Sequence, residues 1–216
     1  MRVGIVVDNM DRRRGGMSEW CWQFGTGLAA YGFELHVISQ AFGNDALPES
    51  IVRHTVPPSK SRQEFAVAAE QMVRQLRLDL THDMGGGWKF DIFQPHGGSQ
   101  SAWENRRLDF LPPWVRGLKR PIDSLLPRRR DMAAHWQKQC AAMRRSESKI
   151  VALSNVVADH LIERDGIKPT QVDVIYNGVD CERFSPAHRE FYRSAVRRLP
   201  QTCSRIPNID RAPPPG

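Results

Sequence analysis

The first thirty-one residues constrain the fold more than any other stretch. Arg2-Val3-Gly4-Ile5-Val6-Val7 is a short apolar run with β-branched residues, followed by a polar, glycine-ending segment from Asp8 to Gly16. Met17, Trp20, Cys21, Phe24 and Leu28 then recur at helical spacing up to Tyr31-Gly32. A buried strand, a glycine turn and an amphipathic helix form the opening of a βα unit. A helix that starts after Gly15-Gly16 leaves its first backbone N–H groups unpaired. Those groups, with the positive end of the helix dipole, suit a phosphate or another anion. Glycine lets the backbone approach such a ligand without a Cβ in the way. The alternative is a turn that needs glycine only for its dihedrals. A dinucleotide fingerprint is excluded, and a nicotinamide-dependent enzyme disfavoured with it, because no G-x-G-x-x-G lies between strand and helix.

The same alternation continues along the chain. Apolar runs predict further strands at residues 33–38, 51–56, 91–94, 149–153 and 172–175, with a short one within 79–84. Phe65, Ala68, Ala69, Met72, Val73 and Leu76 predict a second helix. Residues 120–148 read as mostly polar and helical, broken at Pro127. Ser154 is a suitable N-cap for a helix over 155–164, which Gly166 ends. Strands separated by helices predict an α/β fold, a mainly parallel sheet with helices on both faces. A chain of 216 residues supports one good core of this kind. In such sheets ligands gather beyond the carboxyl ends of the strands. The loops at 8–16, 85–87 and 96–99 lie there, and the first and third carry candidate chemistry.

His96 directly follows a strand and is flanked by Pro95 and Gly97-Gly98. Held at the sheet's carboxyl edge, a histidine can take a proton from a hydroxyl. It can equally cap the strand end through a backbone carbonyl. His82-Asp83 beside the glycine triplet reads as structural, since two ligands are too few to define a metal site. The four cysteines are scattered without a C-x-x-C, which fits a reducing cytoplasm with Cys21 in the core, and neither zinc nor another metal is expected. G-x-S-x-G, P-loop and H-E-x-x-H motifs are absent. So are a run of 18 apolar residues and an N-terminal signal-peptide pattern.

The net charge of +7 is unevenly spread. Residues 106–149 hold twelve Lys/Arg against four Asp/Glu, and residues 187–216 hold six Arg against two acids. Two basic zones on a mildly acidic body point to an anionic partner. In and beside the first zone stand Arg128-Arg129-Arg130, Trp103, Trp114 and Trp136. That combination suits a membrane surface or an anionic substrate, with the rings at the interface and the cations on phosphates. A solvated helical face is the other reading. No recognised nucleic-acid module is visible, so nucleic acid is not an expected partner.

Val174-Ile175-Tyr176-Asn177-Gly178-Val179-Asp180, continuing to Phe184-Ser185-Pro186, resembles the "NGVD-x-x-x-F-x-P" segment of family 4 glycosyltransferases of GT-B architecture. Ile150-Val151-Ala152-Leu153-Ser154 resembles the strand and helix start that precede it there, and the opening strand with Gly15-Gly16 resembles the family's first loop. The order agrees from Met1 to about Leu199. The resemblance implies a Rossmann-like N-terminal, acceptor-side domain over residues 1–186, a linking helix at 187–199 and a disordered tail at 200–216. It implies a nucleotide-sugar donor as co-substrate, no other cofactor, and a glycan or lipid-linked acceptor. Gly15 and Gly16 would approach the donor diphosphate or sugar, and His96 would contact the sugar or move a proton. Arg128, Arg129, Arg130 and Trp136 would belong to an acceptor or membrane surface, which implies a cytoplasmic protein peripheral to the membrane. It resembles lipopolysaccharide-core transferases in this segment. The family's nucleotide-binding half, with its E-x7-E motif, does not follow in these residues. The chain alone is therefore expected to transfer no sugar, with a separately encoded C-terminal half as a possible partner. A non-catalytic domain that binds an anionic glycan or lipid is the alternative.

Overall fold

The computed structural model describes residues 1–44, 47–145, 147–179, 181–182 and 185–197, apart from the side chains of residues 120, 121, 124 and 195–197. The chain divides into two compact units, the first being Met1–Tyr176 and the second beginning at Asn177. Seven parallel strands make the sheet of the first unit: β1 (Arg2–Val6), β2 (Glu34–Ser39), β3 (Ile51–Thr55), β4 (Leu80–Asp83), β5 (Ile92–Phe93), β6 (Lys149–Ala152) and β7 (Val172–Val174). Their order is β3-β2-β1-β4-β5-β6-β7. Chain direction across the sheet therefore reverses at β1, which pairs with β2 on one side and β4 on the other.

Strand pleating explains which helix covers which face. Val3, Ile5 and Val7 pack with Leu35, Val37 and Ile51 under α1 (Gly16–Ala30), whose Met17, Trp20, Cys21, Phe24 and Leu28 close over them. Val6 and Ile38 point the other way, onto Phe65, Ala69 and Val73 of α2 (Arg62–Leu76). Successive side chains of a strand alternate faces, so one short run serves two layers. Three helices follow β5: α3 (Gln100–Asp109), α4 (Pro113–Leu125) and α5 (Pro127–Arg145). A third core joins Phe93, Ile150 and Ala152 to Trp136, Cys140 and Met143 of α5 and Leu161 of α6 (Asn155–Glu163). Ser154 caps α6 as its sequence predicts, accepting from Val157 N–H. In the second unit, Ser185 caps a 3-10 turn, Pro186–His188, that leads into α7 (Arg189–Arg197). The predicted tail at 200–216 and the end of the linking helix lie outside the described residues.

Two elements differ from their sequence reading. The strand predicted at 91–94 keeps ladder pairing at Ile92 and Phe93 only, because Pro95 ends it and the next residues turn. The helical reading of 120–148 starts too late, since α4 already begins at Pro113 with proline in its first turn, a position where the missing N–H costs nothing.

Candidate active site

A cleft of about 830 Å³ opens beyond the carboxyl ends of β1, β4 and β5. This is where the strand order reverses, the position where open α/β sheets hold their ligands. Asp8 after β1, Gly85 and Gly86 after β4, and residues 95–98 after β5 line it. Met17 of α1, the start of α2 and the first turns of α5 complete it.

His96 owes its position to a four-residue turn. Pro95 fixes the exit from β5, and Gly98 N–H donates to Pro95 C=O at 2.8 Å. Gly98 has φ +68°, and a Cβ there would lie 3.3 Å from Val157. Both its dihedral and its surroundings therefore ask for glycine. The imidazole stands edge-on to Trp20, with ring centroids 4.6 Å apart. Burial pushes its pKa below the ordinary value of 6.5, so the ring is neutral at pH 7. Its Nε2 is buried and has no hydrogen-bond partner among the described residues. The ring lines the cleft, and a neutral imidazole there is of the type that accepts a hydroxyl proton, though Nε2 itself is turned inward.

The loop beside it, with the His82-Asp83 pair that the sequence reads as structural, is held by a buried side chain. Asp83 is completely buried, and its carboxylate accepts from the N–H groups of Gly85, Gly86 and Gly87 at 2.7, 2.8 and 2.7 Å. From α5, Gln139 Nε2 donates to the carbonyls of Gly85 and Gly87 at 3.0 and 2.7 Å. The loop is thus held from both sides with its backbone at the cleft. A Cβ on Gly87 would run into the Asp83 carboxylate, and one on Gly86 into the Phe65 ring at 2.6 Å. Burial outweighs the three amides and pushes the Asp83 pKa up to about 7. His82, buried behind Phe24, is held down at about 4 by desolvation. An aspartate before a glycine run is itself a signal, since its side chain commonly bonds the backbone two residues on. Gln139, 52 residues from Gly87, leaves no local trace.

Gly15 and Gly16 stand exposed at the start of α1. Gly15 is the N-cap with φ +148° and supplies no side-chain cap, and no heavy atom lies within 4 Å of where a Cβ on either glycine would sit. Arg12 holds the approach, donating to both Glu19 oxygens at 2.6 and 2.9 Å while lying 4.0 Å over the Trp22 ring. Neither glycine is in the cleft lining, but Met17 is, and Trp20 one turn later carries His96. The open helix start and the histidine are therefore joined through one turn of α1.

The basic segment separates into different roles. Arg128 lines the cleft and Arg130 is exposed. Arg129 is spent on Glu104, at 2.6 and 2.8 Å, which ties α5 to α3. Trp136 is 8% exposed: it packs with Phe93, donates its indole N–H to Asp165 at 3.1 Å, and adds its remaining open edge to the cleft lining. Its neighbours at helical spacing, Cys140 and Met143, join the same core. The exposed apolar surface lies on and just before α4. Phe110, Trp114, Leu118, Ile122 and Leu125 follow one another at three- or four-residue intervals, and Trp114 is 73% exposed. Such spacing puts them along one stripe of the helix. Arg107, paired with both Glu104 and Asp123, fixes α4 against α3.

Residues 14–183 match the family model Glycosyltransferase Family 4. Similar solved structures include WaaG, a glycosyltransferase involved in lipopolysaccharide biosynthesis (TM-score 0.68, 16% identity, 92% of this chain and 52% of that one). Sucrose-phosphate synthase from Thermosynechococcus elongatus matches with TM-score 0.60 and 14% identity, over 93% of this chain and 53% of that one. Anabaena HepE, in complex with UDP and glucose, matches with TM-score 0.53 and 14% identity, over 91% and 50%. The chain thus spans about half the length of these structures. No curated protein matches significantly.

Proposed function

The chain belongs to glycosyltransferase family 4, and we propose that its first unit is the acceptor-side half of a GT-B enzyme that moves a sugar from a nucleotide-sugar donor to a glycan or lipid-linked acceptor. The observation that carries this reading is His96, an imidazole whose pKa burial lowers, in the lining of a cleft at the sheet's switch point. In the proposed reaction an acceptor hydroxyl gives its proton to His96 as its oxygen bonds the anomeric carbon of the donor. The bond from that carbon to the diphosphate breaks, and the nucleoside diphosphate leaves with the electron pair. Backbone amides at Gly15 and Gly16, with the uncapped start of α1, oppose the charge that develops on the diphosphate. Asp83 and Gln139 keep the loop at 85–87 in place as part of the cleft wall. In the proposed enzyme the nucleotide is held by a second Rossmann-like half, on the same polypeptide or separately encoded.

The stripe on α4 supports a location for the reaction. Apolar side chains capped by Trp114, with Arg106, Lys119 and Arg130 nearby in sequence, suit the anionic, cytoplasmic face of a bilayer. A peripheral enzyme resting there meets a lipid-linked acceptor without crossing the membrane. No helix among the described residues is long and apolar enough to span one.

Completing the enzyme tests the reading. The chain is mixed with, or fused to, the nucleotide-binding half of a related transferase, and nucleoside diphosphate release is followed across a panel of nucleotide sugars and membrane extracts. Turnover that needs both halves is the expected result. Tight donor binding and turnover by the 216 residues alone would overturn the half-enzyme reading. Binding of anionic glycan or lipid without turnover in any combination would favour a non-catalytic domain.

A further inference from the structure

His96 lacks the partner that commonly orients a histidine base. In a Ser-His-Asp arrangement the second ring nitrogen donates to a carboxylate, which sets the orientation and tautomer of the ring. Here neither ring nitrogen has a hydrogen-bond partner among the described residues, and Nε2 is sealed inside. Asp8 and Asp131, the carboxylates of the cleft lining, do not bond it. The nitrogen left to meet a hydroxyl is Nδ1.

What holds the ring is aromatic. The indole of Trp20 meets it edge-on, with centroids 4.6 Å apart and planes at 61°. Trp20 is itself stacked on Phe24, at 4.7 Å and 14°, and Phe24 meets His82 edge-on at 5.3 Å. The four rings form one row, contributed by α1, by β4 and by the turn after β5. The row is anchored in α1: Cys21, next to Trp20, is fully buried, and Ser18 Oγ donates to the carbonyl of Asn9 at 2.9 Å. The turn from Pro95 to Gly98 thus sets the backbone of His96, and Trp20 stands against its side chain. The charged groups nearby are Asp8, Lys60, Arg62, Arg128 and Asp131 in the lining, while His82, behind Phe24, is held neutral by its own burial. Burial, and none of these charges, lowers the pKa of His96.

We propose that Trp20 is the positioning residue of His96: its indole orients the imidazole with Nδ1 towards the acceptor hydroxyl and keeps water off the inner edge of the ring. This rests on the acceptor-side reading and adds a residue to its machinery. An aromatic edge contact here takes the place of a hydrogen-bonded carboxylate, and it does so without adding a charge that would raise the pKa of the base.

The test follows the imidazole signals of the full chain, isotopically labelled at histidine, by NMR from pH 4 to 8. The His96 signal is assigned by its absence in His96→Ala. In the parent chain His96 titrates below 6.5. In Trp20→Ala water reaches the ring, and the midpoint rises by about half a pH unit or more, towards 6.5. Trp20→Phe keeps an aromatic ring there and retains most of the lowering. Trp22→Ala removes an indole of the same helix that has no ring contact with His96, and leaves the midpoint unchanged. Circular dichroism confirms that each variant is folded, and Trp20→Leu, with apolar bulk but no ring, replaces an alanine variant that does not fold. In the completed two-half enzyme Trp20→Ala lowers kcat at least tenfold with donor KM changed less than twofold, and Trp20→Phe restores most of it. An unchanged midpoint or unchanged kcat in Trp20→Ala, an equal shift in Trp22→Ala, or no rescue by Trp20→Phe overturns the proposal. The titration needs no turnover, so the two readings fail separately. A midpoint that responds as expected, with no transfer in any completed enzyme, removes the acceptor-side reading and keeps Trp20 as the residue that orients the ring. Transfer that depends on His96 and not on Trp20 does the reverse.

Discussion

Asp83 holds three amides with one buried carboxylate, so its removal is costly in a way its size does not suggest. Asp83→Ala leaves the N–H groups of residues 85–87 without their acceptor. At about 1–3 kcal/mol for each buried group left unpaired, with water rescuing part of it, a loss of about 3 kcal/mol in denaturant unfolding is expected. The titration of the same site gives a signed prediction. His82 and His135 are held at about 4 in the folded chain against 6.5 when exposed, so the unfolded chain binds more protons across that window. Their contribution is present above pH 6.5 and is lost as the pH falls towards 4. Asp83, raised from 3.8 to about 7, works in the opposite sense, its folded form keeping a proton that the unfolded form releases. His96 and His54, also lowered by burial, act in the same sense as His82 and His135, so the histidines outweigh the one carboxylate and leave a net loss on acidification. In Asp83→Asn the opposing carboxylate is gone, and stability should fall with pH more steeply between 6.5 and 4.5 than in the parent chain. Urea midpoints across that range measure it, and a shallower dependence in the variant would contradict the assignment.

At the scale of elements, α4 makes the sharpest prediction. Trp114 and Leu118 are exposed, so Trp114→Ser/Leu118→Ser should leave the unfolding midpoint within experimental error. Co-sedimentation with anionic vesicles should fall at least fivefold, because the apolar anchor is gone while the cations remain. Undiminished binding would leave the cations alone as the anchor. The sequence exposes this stripe only in part. A tryptophan beside arginines reads alike whether it faces solvent, as Trp114 does, or the core, as Trp136 does. The difference is set by which turn of α5 meets Phe93. β1 and α1 were fully legible, because a short continuous apolar run followed by apolar spacing of three to four reads as a strand buried on both faces and a helix packed on it. α3 was not, since among Gln100–Asp109 only Ala102 and Leu108 are buried and no apolar stripe forms. The position of His96 after a strand could be read from the chain. Its turn could be guessed from Pro95 and Gly98. The clasp of Asp83 and Gln139 around the glycine loop joins residues distant in sequence and becomes visible only once α5 is packed.

For the whole molecule, the parallel order β3-β2-β1-β4-β5-β6-β7 places loops from three strands around one cleft, and the structure bears out the expectation of a mainly parallel α/β sheet. In the proposed enzyme this cleft is one wall of the reaction site. Positioning two substrates against each other supplies several kcal/mol of barrier reduction, on the order of 7–11 in well-oriented cases, and that requires the nucleotide-binding wall as well. The claim on which the account depends is that the acceptor hydroxyl reacts at His96. It is tested most directly by comparing the completed two-half enzyme with and without His96→Ala, at saturating donor and acceptor, from pH 5 to 8. With the histidine, kcat should fall on acidification only below its ordinary pKa of 6.5, since burial lowers it. In His96→Ala, kcat should drop by about 10²–10⁴, with that acidic limb removed and donor KM changed less than twofold. Unchanged kcat, or an acidic limb that survives the substitution, would contradict it.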